Sequence, residues 1–341
     1  MTPRHISGVE KNYDWGDEIT IRHTLGSPHD PGTKIAEMWF GTHPQGPSHL
    51  RYGTEWRPLA DVTGGMTMLV KLLACAQPLS LQTHPTPEQA REGFAREEAL
   101  GIARDAPNRM YRDDSDKPEM IVALSQFEAL CGFAPVEQSV GFLRSLRLRG
   151  AASVLEQNGI EKYLAWAFEQ RRTPRFLGAP GWLRTLRRLY PNDNALWIAP
   201  LLNHVVLEKG EALSLPAGNL HAYIRGFGLE VMKSSDNVIR AGFTPKHIDV
   251  AELLRIVDTT PLPNPVVSAG PDGTYPSPSP AFSVATLDHV NDHVDRHRIV
   301  YGHLGDWDGT RHIPRHPEVL FVEAGTRADF DGGVGWVCTQ L

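Results

Sequence analysis

The sequence predicts a mainly β protein with a helical insert. Three observations carry this expectation. Short runs of mixed apolar and polar residues, ended by Gly and Pro clusters, fill residues 1–81 and return near residue 200. Between 138 and 199 the pattern changes: Val140, Leu143 and Leu146 recur at helical spacing, as do Leu164 with Phe168 and Tyr163 with Trp166. After a proline-rich stretch from Thr259 to Pro280, strand-like runs resume at Ala281–Thr286 and Val319–Val322. The expected division is a β domain of residues 1–137 plus 200–260, a helical insert of 138–199, and a proline-rich linker with a smaller C-terminal β domain over 261–341.

The elements follow in order. Ile35–Gly41 reads as a strand closed by the turn chemistry of Thr42 to Pro47. Leu69–Pro78 leads into Leu79–Pro85, where Gln82 and His84 are two apart. On a strand such residues share a face, so both can reach one point in an enclosed interior. Pro87–Leu100 is a short, charged, Ala-rich helix with Pro87 near its first turn and Gly101 just past its end. Asp105–Asp116 is a polar loop. Lys117-Pro118-Glu119-Met120 then opens the apolar run Ile121–Leu124. Glu119 there is either an ordinary strand-edge acid or a paired or metal-bound carboxylate, because an unpartnered one is costly. Ala251–Val257 is a brief helix.

Bulk properties narrow the function. The chain has 341 residues, 41% hydrophobic and 22% charged, as in an ordinary globular protein. A net charge of −6 gives no general attraction to nucleic acid or to anionic membrane, so any anion site must be local. The arginines of the insert, among them Arg144, Arg184 and Arg188, read as solvated helix faces. The N-terminus lacks an apolar h-region, and no long apolar run occurs. Cys75, Cys131 and Cys338 are widely spaced and fit reduced thiols. A cytoplasmic monomer is the expectation.

Leu207–Asp249 concentrates the chemistry. Gly210, Pro216, Gly218 and His221 spell strand, turn, strand, with Pro fixing φ and Gly permitting positive φ. His221 then points inward, as a metal ligand or as a core histidine satisfied by a backbone carbonyl. Beyond it Glu230, Ser234–Asn237, Arg240 and Lys246 crowd charge against a half-buried strand. Arg240 and Lys246 need partners there, and a bound anion would supply one.

The G-x5-P-x-G-x2-H spacing resembles the second conserved motif of the cupin family of small β-barrels. Five ordered blocks are similar to the type I phosphomannose isomerases: NYDWG (12–16), AEMWFGTHPQGPS (36–48), PLSLQTHP (78–85), KPEMIVAL (117–124) running on to FEALCGF (127–133), and HAY (221–223) with SDNVIRAGFTPK (235–246). Asp14 is a mild departure from the family pattern. The resemblance implies a cupin-type jelly-roll catalytic domain, a helical subdomain and a C-terminal cupin-like domain. It implies that Gln82, His84, Glu119 and His221 hold one Zn2+, a nitrogen and oxygen set that Mn2+, Fe2+ or Co2+ also suits.

The implied reaction interconverts mannose 6-phosphate and fructose 6-phosphate, a step of carbohydrate and GDP-mannose metabolism. It moves a proton between C1 and C2 through an enediolate, which needs a Lewis acid, a general base and cations for the phosphate. Arg240 sits in the context of the family's active-site arginine. Glu230 is the first expectation for the base, then Asp236, with Lys117 as an acid or base. Lys246 is expected at the phosphate, with Lys71 and Ser80 as lesser candidates. A structural salt bridge is the alternative for each charged group. A different cupin enzyme, such as a metal-dependent oxygenase, and a sugar-sensing cupin are the competing readings. The RAGFTPK block and the complete ligand set disfavour them. The C-terminal histidines (His289, His293, His297, His303, His312, His316) fall in no ligand frame and are expected at the surface.

Overall fold

Strand Met68–Cys75 is buried at every position, and His221–Lys233 at every position except Arg225, Gly226 and Lys233. Such strands must be covered on both faces. The computed structural model, which describes residues 2–307 and 314–341, accounts for this cover. His221–Lys233 is shared by two antiparallel arrays. Its first part pairs with Phe127–Phe133 and Leu81–Thr83, and its second part with Met68–Cys75 and Glu119–Ala123. The change of partners falls at a register shift between Tyr223 and Arg225 and at Gly226, where φ is +133°. A Cβ on residue 226 would lie 2.7 Å from Phe127 Cα, so the bend requires glycine.

Three cores result. The inner faces of both arrays meet over an apolar floor that includes Leu73, Ile121, Ala129, Cys131, Leu213 and Tyr223. One outer face, through Val70, Leu72, Leu229 and Val231, packs on Phe282, Ile299, Phe321 and Trp336 of a separate five-stranded sheet. The other outer face, through Leu130, Ile224 and Ile239, packs on Leu143, Leu155, Tyr163 and Leu183. These last residues belong to helices Val136–Ser145, Arg149–Glu169 and Gly181–Leu189, which lie between strands Phe127–Phe133 and Leu202–Leu207. The mainly β expectation holds. Arg144, Arg184 and Arg188 are exposed, as read from the sequence. No helix among the described residues is long and apolar enough to cross a membrane.

Two segments depart from the expected division. Arg4–His5 pair with Phe321 and Leu320, so the N-terminus supplies an edge strand to the sheet formed by the C-terminal residues. Val266–Val267 pair with Leu213 and Ala212, so the proline-rich stretch adds an edge strand to the central array. Proline tolerates such a place because an edge leaves some backbone donors unused.

The turn before His221 joins distant parts. Gly218 has φ of +78°, donates its N–H to the His84 carbonyl at 2.8 Å and accepts from Asp258 N–H at 3.0 Å. An added Cβ would stand 2.9 Å from Asp258 Cβ. Gly218→Ala is therefore expected to lower the unfolding free energy by roughly 1–2 kcal/mol for the left-handed backbone alone. Urea denaturation measures this, and an unchanged midpoint would show that the turn tolerates a side chain.

Candidate metal and anion site

Sheet register sets the site. His221 pairs directly with Gln82, and Gln82 pairs on its other side with Arg240. Directly opposed residues project to the same face, so these three side chains form a row across three strands. Ser80 Oγ donates to Gln82 Oε1 at 2.9 Å and orients the amide. Glu119 opens strand Glu119–Ala123 and brings Oε2 to 3.3 Å from His84 Nε2 and 3.4 Å from His221 Nε2. All three residues are buried. Among the described residues, theirs is the cluster of His, Cys, Asp and Glu donor atoms that converges within 4.8 Å.

The histidine tautomers follow from hydrogen bonding. His84 Nδ1 lies 2.7 Å from the Asn237 carbonyl, and His221 Nδ1 lies 3.0 Å from the Asn219 carbonyl. A carbonyl only accepts, so each Nδ1 carries the proton and each Nε2 presents a lone pair. Burial, with the Lys117 charge beside it, lowers the His84 pKa to about 4. Both Nε2 atoms are buried without a hydrogen-bond donor. Burial alone would raise Glu119, but its charged neighbour Lys117 holds the carboxyl well below the usual range. Lys117 Nζ sits 2.7 Å from Glu119 Oε1 and leaves Oε2 to face the imidazoles. Two lone pairs and a carboxylate oxygen aimed at one another repel, and a divalent cation resolves the repulsion. The donor set therefore fits the metal that the sequence implied.

A positive group lies beside it. Arg240 and Lys246 are joined by Arg112, which sequence reading passed over as part of a polar loop. Asn237 brings it in: its Oδ1 accepts from Arg112 N–H at 2.7 Å and its Nδ2 donates to the Ser115 carbonyl at 2.7 Å. Burial lowers the Arg240 pKa, aided by Arg112; burial, Arg240 and Arg112 likewise lower Lys246. No carboxylate pairs with these three cations among the described residues. The backbone behind Arg240 is pinned, because Asp193 accepts from Phe243 N–H at 2.6 Å where Phe243 holds φ of +54°.

The carboxylates separate into two environments. Glu230 is buried 2.9 Å from Lys71 Nζ and accepts from Tyr223 Oη at 3.1 Å. Lys71 also lies 4.0 Å from Glu37, which accepts from Trp39 Nε1 at 2.6 Å. Burial opposes the Lys71 charge, but Glu230 and Glu37 outweigh it and raise the ammonium pKa. Burial raises Glu230 against the pull of Lys71. Asp236 is partly open, with a side chain 28% exposed, and meets His43 Nε2 at 3.3 Å. Burial would raise it, but the His43 hydrogen bond, with Lys117 and Arg112, lowers it.

Comparison with known proteins agrees with this geometry. A family model for the catalytic domain of type I phosphomannose isomerase matches residues 4–136. Mannose-6-phosphate isomerase of Salmonella typhimurium is 34% identical, with 83% of each chain covered. The Escherichia coli protein of that name is 32% identical over 94% of each. The chain belongs to the type I phosphomannose isomerase family. Among solved structures, the Salmonella typhimurium isomerase bound to fructose 6-phosphate and zinc matches over the full length of both chains, with 28% identity and a TM-score of 0.85. An alanine variant of the same isomerase reaches a TM-score of 0.86 at 27% identity.

Within this family frame, the fold brings Gln82, His84, Glu119, His221 and Lys117 together, and sets Arg240 with Lys246. It ties Lys71 to Glu230 and Ser80 to Gln82. Arg112, His43, Glu37 and Trp39 were missed as site residues, although the last three lie in the AEMWFGTHPQGPS block. His293, His303 and His316 are exposed, and His289 and His297 half-buried; His312 lies outside the described residues. Chelation is expected to lower the thermal unfolding midpoint by several degrees, and Zn2+ to restore it, because the metal binds only the folded chain. His221→Ala and His84→Ala should abolish the response in differential scanning fluorimetry. A midpoint indifferent to chelator in metal-loaded protein would remove the metal reading.

Proposed function

We propose that this chain is a zinc-dependent aldose–ketose isomerase that interconverts mannose 6-phosphate and fructose 6-phosphate. The observation that carries the reading is the adjacency of the His84–Glu119–His221 donor cluster and three cations without a carboxylate partner. A metal-dependent oxygenase has no use for the second feature. The sheets that share His221–Lys233 are read as a cupin-type barrel, with residues 138–199 as a helical subdomain and the C-terminal sheet as a smaller cupin-like domain.

Gln82, His84, Glu119 and His221 would hold Zn2+, which supplies Lewis-acid polarisation of the sugar oxygens. Arg240, Lys246 and Arg112 bind the phosphate and so orient the sugar chain toward the cluster. Asp236 is the favoured base: it is ionised, partly open, and its neighbour Asn237 bonds His84. It takes the proton from one of the two carbons and returns it to the other. Glu230, first in the sequence reading, is enclosed by Lys71 and Tyr223. Its role here is a fixed charge beneath the site, with Lys71 as its partner rather than a phosphate ligand. Lys117 holds Glu119 and adds positive potential where the enediolate forms.

The test is formation of fructose 6-phosphate from mannose 6-phosphate, lost on chelation and regained with Zn2+. Metal-loaded protein without turnover would overturn the reading. Arg112→Ala is expected to raise KM about 10- to 100-fold, the worth of roughly 1.5–3 kcal/mol for a hydrogen bond to a charged group. An unchanged KM would take Arg112 out of the phosphate site.

A further inference from the structure

We propose that His43 is the positioning residue that aims the Asp236 carboxylate. The proposal rests on the reading of Asp236 as the proton-transferring group and adds the device that orients it.

His43 is buried and constrained on three sides. Its ring meets Trp39 edge-on at 4.9 Å and 83°. Its Nδ1 accepts from the backbone N–H of Gln45 at 3.2 Å. That bond leaves the ring proton on Nε2, which lies 3.3 Å from Asp236 Oδ2. The loop that carries His43 is closed by Gly46 N–H to the His43 carbonyl at 2.9 Å and by Ser48 N–H to the Gly41 carbonyl at 2.8 Å. Gln45 Nε2 reaches the same Oδ2 at 3.3 Å. Two donors from one turn therefore engage Oδ2, and neither engages Oδ1.

The backbone of Asp236 is fixed from the opposite side. Its N–H donates to Asp113 Oδ2 at 3.0 Å, and the Asn237 carbonyl accepts from His84. Side-chain rotation is the freedom that remains, and the His43 and Gln45 donors remove it. A carboxylate commonly orients a metal-bound histidine; here the roles are exchanged, and the histidine orients while the acid reacts. The His43 hydrogen bond is the foremost of the influences that lower Asp236, ahead of Lys117 and Arg112.

The variants His43→Leu and His43→Gln separate orientation from packing, since glutamine can restore an N–H donor but does not titrate. His43→Leu is expected to lower kcat about 10- to 100-fold with KM within about threefold, as for a misaligned reacting group. His43→Gln should recover to within about fivefold of the parent, with zinc content and thermal midpoint kept in both. Adding His43→Leu to Asp236→Asn should cost no further activity, because the two act as a unit. Parent-like kcat in His43→Leu, a glutamine variant as impaired as leucine, or multiplicative losses in the double variant would each overturn the proposal. Asp236→Asn with parent kcat would instead overturn the reading of Asp236 beneath it.

Discussion

Two imidazole lone pairs and a carboxylate oxygen are forced to face one another at 3.3 and 3.4 Å. The rest of the site depends on that constraint. Left to themselves the rings would turn. The Asn237 and Asn219 carbonyls hold both Nδ1 atoms in place, and burial opposes charge on His84. The turn at Gly218 connects the same parts, since its N–H bonds the His84 carbonyl three residues before His221. Backbone geometry therefore prepares the cation site before any cation arrives.

One strand organises everything around this centre. His221–Lys233 carries a ligand at one end and Glu230 near the other, and bends at Gly226 to belong to two arrays. Its outer faces are covered by helices on one side and by the C-terminal sheet on the other. Those layers are not merely attached to the chemistry. They supply the apolar cover without which a strand bearing inward charges could not be buried on both faces.

The sequence was informative where local chemistry sufficed. Strand spacing put Gln82 and His84 on one face, the P-x-G turn aimed His221, and the helical period marked the insert. Resemblance supplied the grouping of Gln82 with His84, Glu119 and His221, and pairing across distant strands sets His221 beside Gln82. What stayed illegible depended on neighbours brought together by folding. Arg112 looks like any loop arginine until Asn237 clamps its backbone. His43 looks like turn punctuation until Trp39 and Asp236 flank it. The sequence ranks Glu230 before Asp236 as the base; the burial of Glu230 against Lys71 becomes visible only in the fold. The edge strand at Arg4–His5 has too few residues to show any period at all.

The three cations have a consequence for the ligand-free protein. Burial, with Arg112, weakens the hold of Arg240 on its proton, and burial, Arg240 and Arg112 weaken that of Lys246. This corner of the fold is locally frustrated by mutual repulsion: Glu37 acts on Lys246 and Asp236 on Arg112, but among the described residues no carboxylate forms an ion pair with any of the three. A dianion entering there gains not only its own hydrogen bonds but also the release of that repulsion. With this corner as the proposed phosphate site, a sugar lacking the phosphate would forgo that release, and the resting fold would already discriminate against it.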